Sequence, residues 1–138
     1  MKDISTEVKT LTAILPQVAS GESVAINGFP IDRLGYEGAV VGCLIGNTSG
    51  DPTKFGVTFK MQHNSGEEDW ADVAGYTYIV SGESTVNQAR LSGEINVNLK
   101  GFARNVRVVV TPTFTGGSSP SIEIGAVIVL GEAQVQPV

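Results

Sequence analysis

The stretch from Asn105 to Leu130 constrains this chain more than any other, because it alternates almost without error. Val106, Val108 and Val110 interleave with Asn105, Arg107 and Thr111; after Gly116-Gly117-Ser118-Ser119-Pro120, the residues Ile122, Ile124, Ala126, Ile128 and Leu130 alternate again. A period of two in β-branched residues puts every second side chain on one face of a strand, so each run reads as a strand with one buried side. Two such runs around a short Gly-rich connection predict an antiparallel hairpin. Val106, Val108, Val110, Ile122, Ile124 and Ile128 form its expected core face. The opposite face, with Arg107, Val109, Thr111, Val127 and Val129, is too apolar for an ordinary solvated surface. It is a candidate partner contact.

The remaining chain supplies further strands of the same kind. Val24 and Ile26 alternate within Glu22 to Asn27. Tyr36 to Ile45 is almost unbroken in apolar character, as expected of a strand covered on both faces. Phe55, Val57, Phe59 and Met61 alternate with Lys54, Thr58, Lys60 and Gln62. A return strand near Trp70 and Val73, with both side chains anchored in the core, precedes strands at Tyr76–Val80 and Leu91–Leu99. Short strands separated by Gly-, Asn- and Ser-rich turns predict an all-β antiparallel domain, a β-sandwich of jelly-roll type.

The first 21 residues are different. Ile4, Val8, Leu11 and Leu15 fall at helical spacing, and Ser5 or Thr6 suits a helix cap. The threonines and Pro16 favour an extended arm instead. The expected organisation is therefore an N-terminal arm or short helix (1–21), a sandwich (22–131) and a C-terminal tail (132–138), with the arm dispensable for folding. Its apolar side chains need a surface to cover, on the domain itself or on a neighbour.

Composition narrows the function. The chain has 138 residues, 17 glycines and a net charge of −5. This length buries a core without disulfide or metal. Its acidity disfavours nucleic acid as a partner, because phosphate backbones are repelled at long range. No apolar run reaches membrane-span length, and the start, Met1-Lys2-Asp3, lacks the layout of a signal peptide. The single Cys43, inside Val40-Val41-Gly42-Cys43-Leu44-Ile45, reads as a small buried hydrophobe.

Catalytic and ligand motifs are weak throughout. His63 is the one histidine; it lies in phase with Phe59 and Met61, and no Gly-x-Ser-x-Gly elbow accompanies it. Glu67, Glu68, Asp69 and Asp72 do not follow the spacing of an EF-hand loop and read as a solvated turn. No phosphate-binding glycine loop is present. No catalytic residue, cofactor or metal is expected. Trp70, Tyr76 and Tyr78 are the candidates for a sugar platform, although core packing is the commoner use of such rings. Arg33 and Arg107 are candidates for pairing with a carboxylate across a subunit contact.

The order of several segments resembles small structural proteins of tailed bacteriophages. They are Phe59-Lys60-Met61-Gln62-His63-Asn64-Ser65-Gly66-Glu67-Glu68-Asp69-Trp70-Ala71-Asp72-Val73, then Asn105-Val106-Arg107-Val108-Val109-Val110-Thr111-Pro112, then Ile124-Gly125-Ala126-Val127-Ile128-Val129-Leu130-Gly131 with Pro137-Val138. Ile31-Asp32-Arg33 followed by Gly38-Ala39-Val40-Val41 fits the same order. The resemblance spans most of residues 22–138 and implies a capsid decoration (cement) protein. Such a protein is made in the bacterial host cytoplasm and sits on the virion's capsid surface. The major capsid protein would be its partner, and a homotrimer its oligomer. The alternative is a tail, fibre or carbohydrate-binding module for host attachment. Under either reading the candidate contact residues are Ile4, Val8, Leu11, Leu15, Arg33, Arg107, Val109, Val127 and Val129.

Overall fold

The computed structural model describes residues 8–20, 22–66, 69–83 and 91–133. Nine strands form among them: β1 (Lys9–Ala19), β2 (Ile26–Asn27), β3 (Ile31–Asp32), β4 (Tyr36–Ser49), β5 (Lys54–Asn64), β6 (Ala71–Glu83), β7 (Leu91–Asn98), β8 (Asn105–Thr115) and β9 (Ser121–Ala133). One sheet has the order β1-β9-β4-β7. The other has the order β2-β8-β5-β6, with β3 also on β8. All pairings are antiparallel. The all-β sandwich expected from the alternation is therefore the fold, and the two sheets close over one apolar core.

The expected Asn105–Leu130 hairpin does not form. β8 and β9 lie in different sheets. Both sides of β9 are taken by β1 and β4, and both sides of β8 by β5 and by β2 with β3. The link between them is a crossover. Gly116 and Gly117 take φ of 72° and 82°, a left-handed geometry that costs glycine little, and the Ser118 amide donates to the Gly50 carbonyl at 2.8 Å. The two inward rows thus meet across the interior, not side by side. Val106, Val108, Val110, Ile122, Ile124 and Ile128 are all buried in the core, as their alternation requires.

Within the N-terminal segment the extended alternative holds and the helix does not: Lys9–Ala19 is extended and lies on its own domain as a strand of the sandwich. Lys9–Ala19 pairs with β9, with register shifts between Thr12 and Ile14 and between Ile14 and Gln17. These irregularities bring the consecutive residues Ala13 and Ile14 both into the core. They also explain how Val8, Leu11 and Leu15 imitate helical spacing: a bulge resets the phase of a period-two pattern. Pro16 is tolerated because β1 is an edge strand and needs no ladder donor there.

Three further expectations change. β4 is covered on one face only: Ala39, Val41, Cys43 and Ile45 point inward while Val40 and Leu44 are exposed. The two short strands expected at 70–80 are one continuous β6, broken in register opposite Lys60 and Gln62 and turned at Gly75, where φ is 90°. Within Glu22 to Asn27 only Ile26–Asn27 pairs, and Val24 is exposed. Gly28 joins the sheets beside this strand. Its amide donates to Val108 O at 2.8 Å, and the Phe29 amide donates to Ala13 O at 2.9 Å. A Cβ at residue 28 would lie 2.5 Å from Ala13 O and 2.6 Å from Val108 O, both backbone atoms.

Ile14 is 2% exposed, so Ile14→Ala is expected to cost about 2–5 kcal/mol of unfolding free energy through lost burial and a residual cavity. Deleting residues 1–21 should go further and abolish the cooperative transition. Urea denaturation followed by circular dichroism checks both, and a truncated chain that unfolds like the full one would contradict the role given to β1.

Candidate interaction surfaces

The outer face of the β1-β9-β4-β7 sheet has an apolar centre and polar margins. Val40 pairs across strands with Val129, Gly42 with Val127, and Leu44 with Gly125. Leu44 is 49% exposed, Val40 38% and Val127 37%. Because Gly42 has no side chain, Val127 lies over it; a Cβ there would come within 3.0 Å of Val127 Cγ2. On one flank stand Thr10 and Thr12, opposite Val129 and Val127. On the other stand Asn96, Glu94 and Ser92, opposite Val40, Gly42 and Leu44. Two open grooves indent this face. One, of about 690 Å³, is lined by Val8, Val40, Val129, Asn96, Asn98 and Lys100 among others. The other, of about 450 Å³, runs between Val18, Leu44, Gly46 and Gly125.

The outer face of the second sheet is polar and cross-linked. Arg107 Nε donates to Gln62 Oε1 at 2.9 Å, and its guanidinium lies 4.4 Å from the centroid of the Trp70 ring. Gln62 Nε2 donates to Asp72 Oδ1 at 2.7 Å, and Lys60 Nζ donates to Asp72 Oδ2 at 3.2 Å. Gln62 and then Lys60 hold the Asp72 carboxyl below the usual carboxylate range. Trp70 is half-buried in this row and is not part of the core cluster, contrary to the sequence reading; Val73 does pack against the core. An indole beside a sheet rich in polar outward groups gains more from the cation over its ring than the alternation pattern reveals.

The sequence-selected contact residues do not share one surface. Val127 and Val129 face outward from β9. Arg107 and Val109 face outward from β8, on the opposite side of the molecule, because the two strands belong to different sheets. Val109, at 1% exposed, offers no accessible area. Leu11 packs against the core and Leu15 is exposed. Val8 borders the larger groove, and Ile4 lies outside the described residues. Arg33 is used within the chain: Nε donates to Ala103 O at 3.1 Å, Nη1 to Tyr36 O at 3.3 Å and Nη2 to Phe102 O at 2.5 Å. Sequence reasoning missed Val40, Val18 and Leu44. The signal was Gly42 and Gly46, which fall in phase with Val40 and Leu44 and mark that row as the uncovered one.

Other candidates also settle into structural roles. His63 Nδ1 accepts from the Ala103 amide at 3.0 Å, and its ring meets Phe102 edge-on at 5.6 Å. Tyr76 and Tyr78 pack against the core, and Tyr76 leans on Phe102 at 5.2 Å. They do not share a face with Trp70, so the three rings form no common platform. Asp32 accepts from Arg104 Nε at 3.1 Å and from Nη2 at 2.8 Å, which with the Leu34 amide lowers its pKa. Cys43 is buried, and desolvation pushes its thiol up to about 12. Of the acidic turn, Glu67 and Glu68 lie outside the described residues.

No family model and no curated protein matches the chain in sequence. Its fold is similar to solved viral structures. The infectious bursal disease virus VP2 subviral particle aligns with a TM-score of 0.59 at 14% identity, over 94% of this chain and 34% of that chain. A structure of the Gx strain of the same virus aligns at 0.54 and 11% identity, again over 94% and 34%. The chain thus spans about a third of the length of these proteins, and the likeness is one of fold: two antiparallel sheets of jelly-roll type.

Two outcomes follow from the titratable groups. A raised thiol pKa and burial together mean that Cys43 should resist a thiol reagent at pH 8 in the native state and react on unfolding; fast labelling of the folded chain would contradict its placement. Asp32 and Asp72 have folded pKa values below the ordinary 3.8. Their stabilisation is present above that value and is lost as pH falls through the lower folded value. The melting-temperature deficit of an Asp32→Asn, Asp72→Asn variant should therefore be present at pH 7, though small because both groups are exposed, and should close on acidification below about pH 4.

Proposed function

We propose that the chain is a structural component of a virion, a protein that binds the outside of a phage capsid and stabilises it by clamping neighbouring capsid subunits. The observation that carries this reading is the exposed apolar centre at Val40, Leu44 and Val127, bounded by Thr10, Thr12, Ser92, Glu94 and Asn96. An apolar centre inside a polar rim is the composition of protein–protein contacts. The likeness of its fold to solved viral structures supports the same reading, as does the order of motifs, which resembles that of phage structural proteins.

Mass action supplies the mechanism. A protein that binds the assembled shell and not its dissociated subunits stabilises the shell by its own binding free energy. A contact of about 800 Å² per partner is enough for specific association, and repetition over a lattice adds avidity. The proposal includes a homo-oligomer, a trimer as the resemblance implies, with the major capsid protein as partner and no catalytic step. His63, the best catalytic candidate by residue type, has its Nδ1 engaged by a backbone amide, which favours a structural role.

Leu44→Asp is the direct test. Leu44 is an outward residue, so the variant should keep the wild-type fold. It should co-sediment with capsids stripped of the protein at least about tenfold more weakly, because a contact that buries this position would bury an unpaired charge. Unchanged co-sedimentation, with the fold intact, would remove this face from the proposal.

A further inference from the structure

The row on the second sheet has a feature that the apolar face lacks, a cation held in place that forms no ion pair with any described residue. Gln62 holds Arg107 Nε, and the guanidinium carbon lies over the Trp70 ring. Asp72, the acid of the row, is bonded by Gln62 and Lys60 and not by Arg107. Among the described residues Arg107 makes no ion pair, and its Nη1 and Nη2 donate to no protein group. Arg104, by comparison, is closed by a two-pronged contact with Asp32.

We propose that the Arg107 fork, seated on Trp70, is a binding site for a carboxylate on an acidic segment of a partner protein. A guanidinium presents parallel donors that match the two oxygens of a carboxylate. Here the side chain is already ordered by two contacts, so little conformational entropy remains to be lost on binding. Burial also lowers the Arg107 pKa, and among the described residues no acid raises it. A partly desolvated cation gains more from an anion than an exposed one does. Arginine and tryptophan are the residue types that most often dominate binding at protein contacts. A neutral sugar fits less well, because the guanidinium covers a face of the indole on which a sugar would stack, and Tyr76 and Tyr78 turn inward. The site lies on the opposite side of the sandwich from Leu44 and Val127, so this inference stands apart from the capsid reading.

Trp70 is the only tryptophan, so its emission reports on the site directly. The full chain is titrated with penta-glutamate peptide, with penta-glutamine of the same length as control. A saturable change in Trp70 emission is expected with penta-glutamate alone, weakening as salt is raised. Arg107→Gln should abolish it. Arg107→Lys, which keeps the charge but not the fork, should weaken it at least about tenfold, and Arg104→Gln should leave it intact. Thermal unfolding of each variant separates loss of the site from loss of the fold, and if Arg107→Gln does not fold, the lysine variant decides. Four results would overturn the proposal: no response, an equal response to penta-glutamine, a response that survives in folded Arg107→Gln, or a response to a neutral oligosaccharide instead. A response that appears only in a Glu67→Gln, Glu68→Gln variant would overturn it too, by assigning the fork to an acid of its own chain.

Discussion

Strand β9 is the element on which the rest of the structure depends. It is the inner strand that joins β1 to β4, and its two faces do opposite things. Ile122, Ile124, Ala126, Ile128 and Leu130 line the core from one side. Val127 and Val129, displaced by one position each, contribute to the exposed apolar centre. The strict period of two couples these roles: a slip of one residue would exchange the faces and put isoleucines into water. The register is therefore held by burial, and the outward surface follows from it as a geometric consequence.

The sequence made the core legible and left the pairing obscure. Alternation says which side chains lie inside, and every core residue assigned to the Asn105–Leu130 stretch is buried. It does not say which strand lies alongside. A Gly-Gly-Ser-Ser connection is compatible with a hairpin and with a crossover, and what decides is competition for the edges of β8 and β9 by strands far away in sequence. The N-terminal segment was misleading for a related reason. Two register shifts in β1 break the phase of its apolar residues, and a broken period of two looks like a period near 3.6.

The surface was legible in part. Val127 and Val129 could be read as an unusually apolar outward row, and they are one. Leu44 and Val40 are harder to read, because a continuous apolar run looks the same whether its second face meets a sheet or a partner, and only Gly42 and Gly46, in phase with them, mark the row. The Arg107 site was half visible: the arginine stood out of an apolar strand, but its support comes from Gln62, Asp72 and Trp70, which only the folding of β5 and β6 against β8 brings together. Tertiary proximity of that kind leaves no trace in local spacing.

The two outer faces differ in what they can contribute to an assembly. An apolar surface binds in rough proportion to the area it covers and is nearly indifferent to direction. A fixed guanidinium is worth little over most of its surroundings and much at one geometry, so it sets register more than affinity. A sandwich separates its outer faces by two sheets packed about 10 Å apart, too far for one small partner segment to touch both. If both faces are used, they are used by different neighbours, and a single chain then links them through a core that deforms little. That is the mechanical requirement of a clamp. An acidic chain can still use a cation that has no ion pair among its described residues: the long-range repulsion that keeps free copies apart does not prevent a local pairing at contact, where the separation is well inside the screening length.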